Sequence, residues 1–96
     1  MTGAWPDHVG KSYPGGYTVE DEIHVPQGET KRIYLQRTRF SQDNRIEYRF
    51  TYYVLARKGP RQGEPVFSRN SVFVPVAQLA ELLTEARKRS WPGFQL

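Results

Sequence analysis

The chain predicts an α+β domain: a curved four-stranded antiparallel meander followed by one C-terminal helix packed on one face. Three observations predict it. Residues 45–57, RIEYRFTYYVLAR, alternate with period two and are dominated by β-branched and aromatic residues. Turn-forming clusters at 26–29, 41–44 and 58–65 set this run apart from its neighbours. Residues 76–89 switch to a helical period. At 96 residues and 11.2 kDa the chain is one small domain.

Residues 1–16, MTGAWPDHVGKSYPGG, carry Pro6, Pro14 and several glycines without a period, and read as an irregular N-terminal arm. Its Trp5 and Tyr13 imply that it docks. The β-β-β-β-α domain spans 17–96. Tyr17, Val19, Ile23 and Val25 share one parity and Thr18, Glu20, Glu22 and His24 the other, a half-buried strand whose apolar parity Asp21 interrupts. Pro26-Gln27-Gly28-Glu29 is a turn, KRIYLQRTRF (31–40) a second strand, and Ser41-Gln42-Asp43-Asn44 another turn. The third strand is 45–57. Residues 58–65, KGPRQGEP, form a loop, and VFSRNSVFV (66–74) a fourth strand.

Pro75 suits the first turn of the helix. Val76, Leu79, Ala80, Leu83 and Ala86 form its apolar stripe. Glu81 and Glu85 face away, and Glu85 pairs with Arg89 at i,i+4. Arg87, Lys88 and Arg89 complement the C-terminal dipole, and Trp91-Pro92-Gly93 stops the helix.

One helix covers one face of a meander, so register decides what the other face carries. Folding the second hairpin about 41–44 pairs Ile33 with Tyr52 and Leu35 with Phe50, on the face the helix needs. Arg37 and Arg39 share that face, nearer the turn and beyond helix cover. The opposite face holds Tyr34, Gln36, Thr38 and Phe40 beside Arg45, Glu47, Arg49, Thr51, Tyr53, Leu55 and Arg57. A slip of one residue would set Ile33 and Leu35 against polar residues. On the fourth strand Val66, Val72 and Val74 are expected inward, leaving Phe67, Arg69 and Phe73 on the open face. The reverse orientation would place Asn70 there instead.

Charge follows the same division. Residues 1–30 carry one basic residue against five acidic ones, residues 31–74 ten against three, and residues 75–96 three against two, for a net +4. Arginine outnumbers lysine ten to four, and guanidinium forks match phosphates and stack on bases. Rings that stack bases and cations that track phosphates, on one surface, are what single-stranded nucleic acid requires. Tyr34 and Tyr53 are the candidate stacking residues. Arg45, Arg49, Arg57, Lys58, Arg61 and Arg69 are the candidate phosphate contacts.

Other chemistries find little support. The chain has no cysteine, which excludes disulfides, thiolate zinc sites and cysteine nucleophiles. No glycine-rich phosphate cradle precedes a helix. No cofactor and no metal is expected, since Asp21 and Glu22 point to opposite faces of a strand. No apolar run reaches membrane-span length, so a cytoplasmic protein is expected, nucleoid-associated if it binds DNA. His8 lies in the arm. His24, Glu22 and Arg32 could serve a small basic nuclease, but nothing in the sequence brings them together.

Four strands and a C-terminal helix, carried by KRIYLQRTRF, RIEYRFTYYVLARKG and SRNSVFVPVAQLAELLTEARKRSW, resemble the fold of the single-stranded-DNA-binding transcriptional coactivators, the Whirly proteins and the purine-rich-element-binding (PUR) proteins. The resemblance covers roughly residues 17–91. It implies a homodimer joined on the helix side and single strands bound on the sheet. The acidic run Glu20-Asp21-Glu22 departs from it, because it would repel phosphate. The expectation is a non-catalytic module for single-stranded DNA or RNA, in transcription or nucleic-acid maintenance. The alternatives are a protein-interaction subunit using the same face and, third, a small basic nuclease.

Overall fold

The computed structural model describes residues 5–69 and 72–95. Five strands form one antiparallel sheet in sequential order: β1 (Ser12–Tyr13), β2 (Tyr17–Gln27), β3 (Lys31–Phe40), β4 (Ile46–Leu55) and β5 (Pro65–Phe67). Helix α1 (Val76–Lys88) follows. The α+β class stands, with a curled sheet and a single C-terminal helix. The fifth strand is β1, inside the arm read from sequence as irregular. Among the described residues, no helix is long and apolar enough to cross a membrane.

Register in the central hairpin is as the alternation requires, with Ile33 opposite Tyr52 and Leu35 opposite Phe50. The β2–β3 pairing explains the parity break at Asp21. A bulge between Val19 and Asp21 inserts one extra residue. Tyr17 and Val19 therefore face away from the helix while Ile23 and Val25 face it, because each bulge residue flips the side-chain phase downstream.

The core lies between the sheet and α1. Ile23, Val25, Ile33 and Leu35 meet Leu82, Ala86 and Trp91 there. The helix stripe is rotated from its sequence assignment. Leu82 is fully buried, whereas Val76 and Leu83 are exposed. The expected Glu85–Arg89 ion pair forms, at 3.1 Å. The helix ends where Ser90 enters the left-handed region at φ 57, and Trp91 N–H then bonds back to the Ala86 carbonyl. That turn drops the Trp91 ring into the core, where its Nε1 donates to Asp21 at 3.0 Å. Arg37 lies over the same ring, so the segment after the helix covers what the helix alone was not expected to reach.

The predicted fourth strand shortens to three residues. Ser68 N–H still donates to the Tyr52 carbonyl of β4 at 3.0 Å, beyond the end of β5 at Phe67. Asn70 and Ser71 lie outside the described residues. The valines do turn inward: Val72 and Val74 pack against the core, and Phe67 and Phe73 are exposed.

The outer edge of β2 is blunted. Glu22 N–H is taken by Asp21 Oδ1 at 2.9 Å and its carbonyl by Arg89 at 3.1 Å. Pro26 has no N–H to offer, and its carbonyl accepts from Gln78 at 3.4 Å. Side-chain caps and proline at an edge are recognised guards against unwanted strand pairing.

Candidate nucleic-acid interface on the helix-free face

The face opposite the helix is partly roofed by the arm. Gly10 N–H donates to the Val19 carbonyl at 2.8 Å, Val19 N–H to Lys11 at 3.0 Å, and β1 then pairs with the start of β2. This places His8 over the sheet centre. Its backbone N–H donates to Glu22 Oε2 at 2.8 Å and its Nδ1 meets Glu22 Oε1 at 2.9 Å. A carboxylate only accepts, so Nδ1 carries the proton, and Nε2 faces the Tyr53 hydroxyl at 2.8 Å. Gln36 Nε2 donates to Glu22 at 3.1 Å. Glu22 is thus a buried charge held by three donors, the condition under which such burial is tolerated. Sequence reasoning placed His8 in an irregular arm and gave it no role. Only the folded arm shows its role.

Tyr34 departs from expectation. It is fully buried, with its hydroxyl donating to the Pro6 carbonyl at 2.8 Å and its ring between His24 and His8. Burial pushes its hydroxyl pKa well up. Tyr34 is a floor for the arm and offers no ring to a base. His24 stacks on it at 4.5 Å, and burial, followed by the charge of Arg32, lowers the His24 pKa. His24, Glu22 and Arg32 share the helix-free face, and the Glu22 carboxylate is bonded to His8.

The other candidates separate by position. Arg45, Arg49 and Tyr53 recur every fourth residue along one face of β4, about 13 Å apart at ~3.3 Å per residue. Arg45, at the turn end, is engaged by Asp43 at 3.0 Å and Glu47 at 2.7 Å. Arg57 and Lys58 are exposed in the loop at the opposite end. Arg61 shares that loop, 3.9 Å from Glu64. Arg69 follows β5 and borders a hollow of about 410 Å³ with Arg49, Phe50 and Phe67.

Arg49 is the central cation. Among the described residues no carboxylate pairs with it. It donates to the Tyr17 hydroxyl at 2.7 Å, and its guanidinium lies 5.6 Å from the Phe67 ring. Tyr53 packs edge-on to Phe67 at 5.7 Å. With Tyr13, Pro14, His8 and Gln36 these residues line a cleft of about 290 Å³. Burial raises the Tyr53 pKa, so its phenol stays a neutral O–H.

The acidic run is spent inside the molecule. Glu20 is bound by Arg39 at 2.6 Å and Arg37 at 3.3 Å, Asp21 by Arg89 at 2.9 Å, and Glu22 by His8. It projects no bare negative patch onto the cleft. Unpartnered groups gather on this same face. Of the buried side-chain polar atoms without a hydrogen bond, Glu20 Oε1 and Arg37 Nε belong to one ion pair. The others among the described residues, His24 Nδ1, Arg32 Nε and Gln36 Oε1, belong to residues of the helix-free face. Comparison with known proteins returns no match among family models, curated proteins or solved structures.

Proposed function

We propose that the protein is a non-catalytic module that binds single-stranded DNA or RNA along the β4–β5 side of the helix-free face. One observation carries the reading: Arg49, without a carboxylate partner, sits among the rings of Tyr17, Tyr53 and Phe67 at the mouth of a cleft. Aromatic surface of this kind supports stacking worth about 1–3 kcal/mol per base. Arg69, Arg57, Lys58 and Arg61 extend the cationic track towards the loop end. Arg45 contributes less, because two carboxylates already hold it. The test is fluorescence anisotropy with labelled single-stranded DNA, RNA and duplex DNA across a salt series. Submicromolar binding that prefers single strands and weakens log-linearly with salt supports the reading. Equal weak binding to every polyanion sinks it.

A homodimer joined on the helix side accompanies this reading. Phe73 and Val76 are 82% and 83% exposed, with Leu83 two turns further along the same helix face as Val76, and apolar residues so placed favour burial against a second copy. Light scattering should give twice the chain mass for the wild type and a single chain mass for Val76→Asp.

A further inference from the structure

Two arginines border the same hollow beside β4 and β5. Arg49 reaches it from β4, and Arg69 follows the end of β5. The Ser68 N–H bond to the Tyr52 carbonyl holds the chain against β4 up to the residue before Arg69. Elsewhere Arg39, Arg45 and Arg89 are each held by a carboxylate. Arg49 and Arg69 have no such partner among the described residues, and no Asp or Glu lines the hollow there. Of the Arg49 nitrogens one is used, on the Tyr17 hydroxyl. Two rings border the same space and are open to solvent, Phe50 at 38% and Phe67 at 45% exposure.

Two guanidinium groups at one hollow repel each other unless an anion lies between them. The charge of that anion selects the ligand. A phosphodiester inside a strand carries a single negative charge. A phosphomonoester carries about −1.5 to −2 at neutral pH and offers three strong acceptor oxygens, which suit two guanidinium forks. We propose that the hollow captures the phosphorylated end of a single strand, with Arg49 and Arg69 on the terminal phosphate and the end base against the Phe67 ring. This rests on the single-strand reading above and names the part of the strand that the β4–β5 side prefers. A volume of about 410 Å³ falls within the range of ligand pockets, roughly 300–1,000 Å³, at the end that suits one nucleotide.

The experiment compares three single-stranded oligomers of one sequence on the full chain by anisotropy, each with an internal label. One ends in a 5′-phosphate, one in a 3′-phosphate, and one in hydroxyls at both ends. At neutral pH the wild type should bind a phosphorylated oligomer about tenfold more tightly than the hydroxyl-ended one, and the stronger of the two identifies the end. The preference should shrink below about pH 6, where the phosphate takes up its second proton. Arg69→Gln should bind all three as the wild type binds the hydroxyl-ended oligomer. A preference that survives in Arg69→Gln overturns the assignment to this hollow. Equal binding of all three by the wild type overturns the end preference and leaves the single-strand reading standing. Absence of binding to any overturns both. If Arg69→Gln fails to fold, the wild-type comparison and its pH dependence decide alone.

Discussion

The two faces of the sheet are built on opposite terms. Towards the helix, Ile23, Val25, Ile33, Leu35, Leu82, Ala86 and Trp91 form a closed apolar cluster, and the one polar group of Trp91 finds Asp21. Away from the helix, the buried residues are Val19, Tyr34, His8, Glu22, Gln36, Thr38 and Thr51. Among the described residues, three buried polar atoms there lack hydrogen-bond partners. The first face buries apolar side chains; the second buries polar ones and keeps a cation, Arg49, at the edge of a cleft. Departures from local consistency concentrate where function is expected.

Substitutions separate the two faces. The largest effect belongs to the core: Trp91→Ala should cost about 3–5 kcal/mol in denaturant unfolding, from lost burial and the cavity left. A loss under about 1 kcal/mol would mean that the segment after α1 is not part of the core. On the other face, Arg49→Ala should weaken single-strand binding about tenfold and reduce the salt slope by about one. Its unfolding free energy should fall by no more than about 1 kcal/mol, the worth of its bond to Tyr17. Ser90→Gly should stabilise by about 1 kcal/mol, since a left-handed φ costs a non-glycine residue roughly that much, and should leave binding untouched.

The smallest effect is a pH dependence. His24 is held below its ordinary value of 6.5, chiefly by burial and next by Arg32. The folded protein therefore binds fewer protons than the unfolded chain as pH falls through 6.5. Stability present above that pH is lost as pH drops towards and through the lower folded value. His24→Gln should flatten the pH profile of the thermal midpoint below pH 7, and an unchanged slope would remove His24 from the account.

How far the sequence revealed this division depends on the range of the interactions. Strands β2 to β4 and the register of the β3–β4 hairpin were legible, because the alternation of 45–57 and the turn at 41–44 are local signals. The bulge announced itself at Asp21, as a broken parity without an interpretation. The helix was legible, but its rotation was not: Leu82 and Leu83 are adjacent, and only packing against Ile23 and Leu35 chooses between them. Docking of the arm was expected from Trp5 and Tyr13, but strand β1 and the place where the arm docks were not legible. Pro6, His8 and Gly10 carry no period, and their partners Tyr34, Glu22 and Val19 lie 9–28 residues away. Arg49 and Tyr53 could be read as a candidate pair from strand spacing. The hollow shared by Arg49 and Arg69 could not, because it forms only once β5 pairs with the far end of β4.

The division of labour is tested most directly by titrating the uniformly ¹⁵N-labelled protein with a short single-stranded oligomer and following every backbone amide. The account predicts shifts at residues 47–53 and 66–69 and around Gln36, with α1 unmoved beyond its ends. Shifts centred on α1, or none at oligomer excess in low salt, would contradict it.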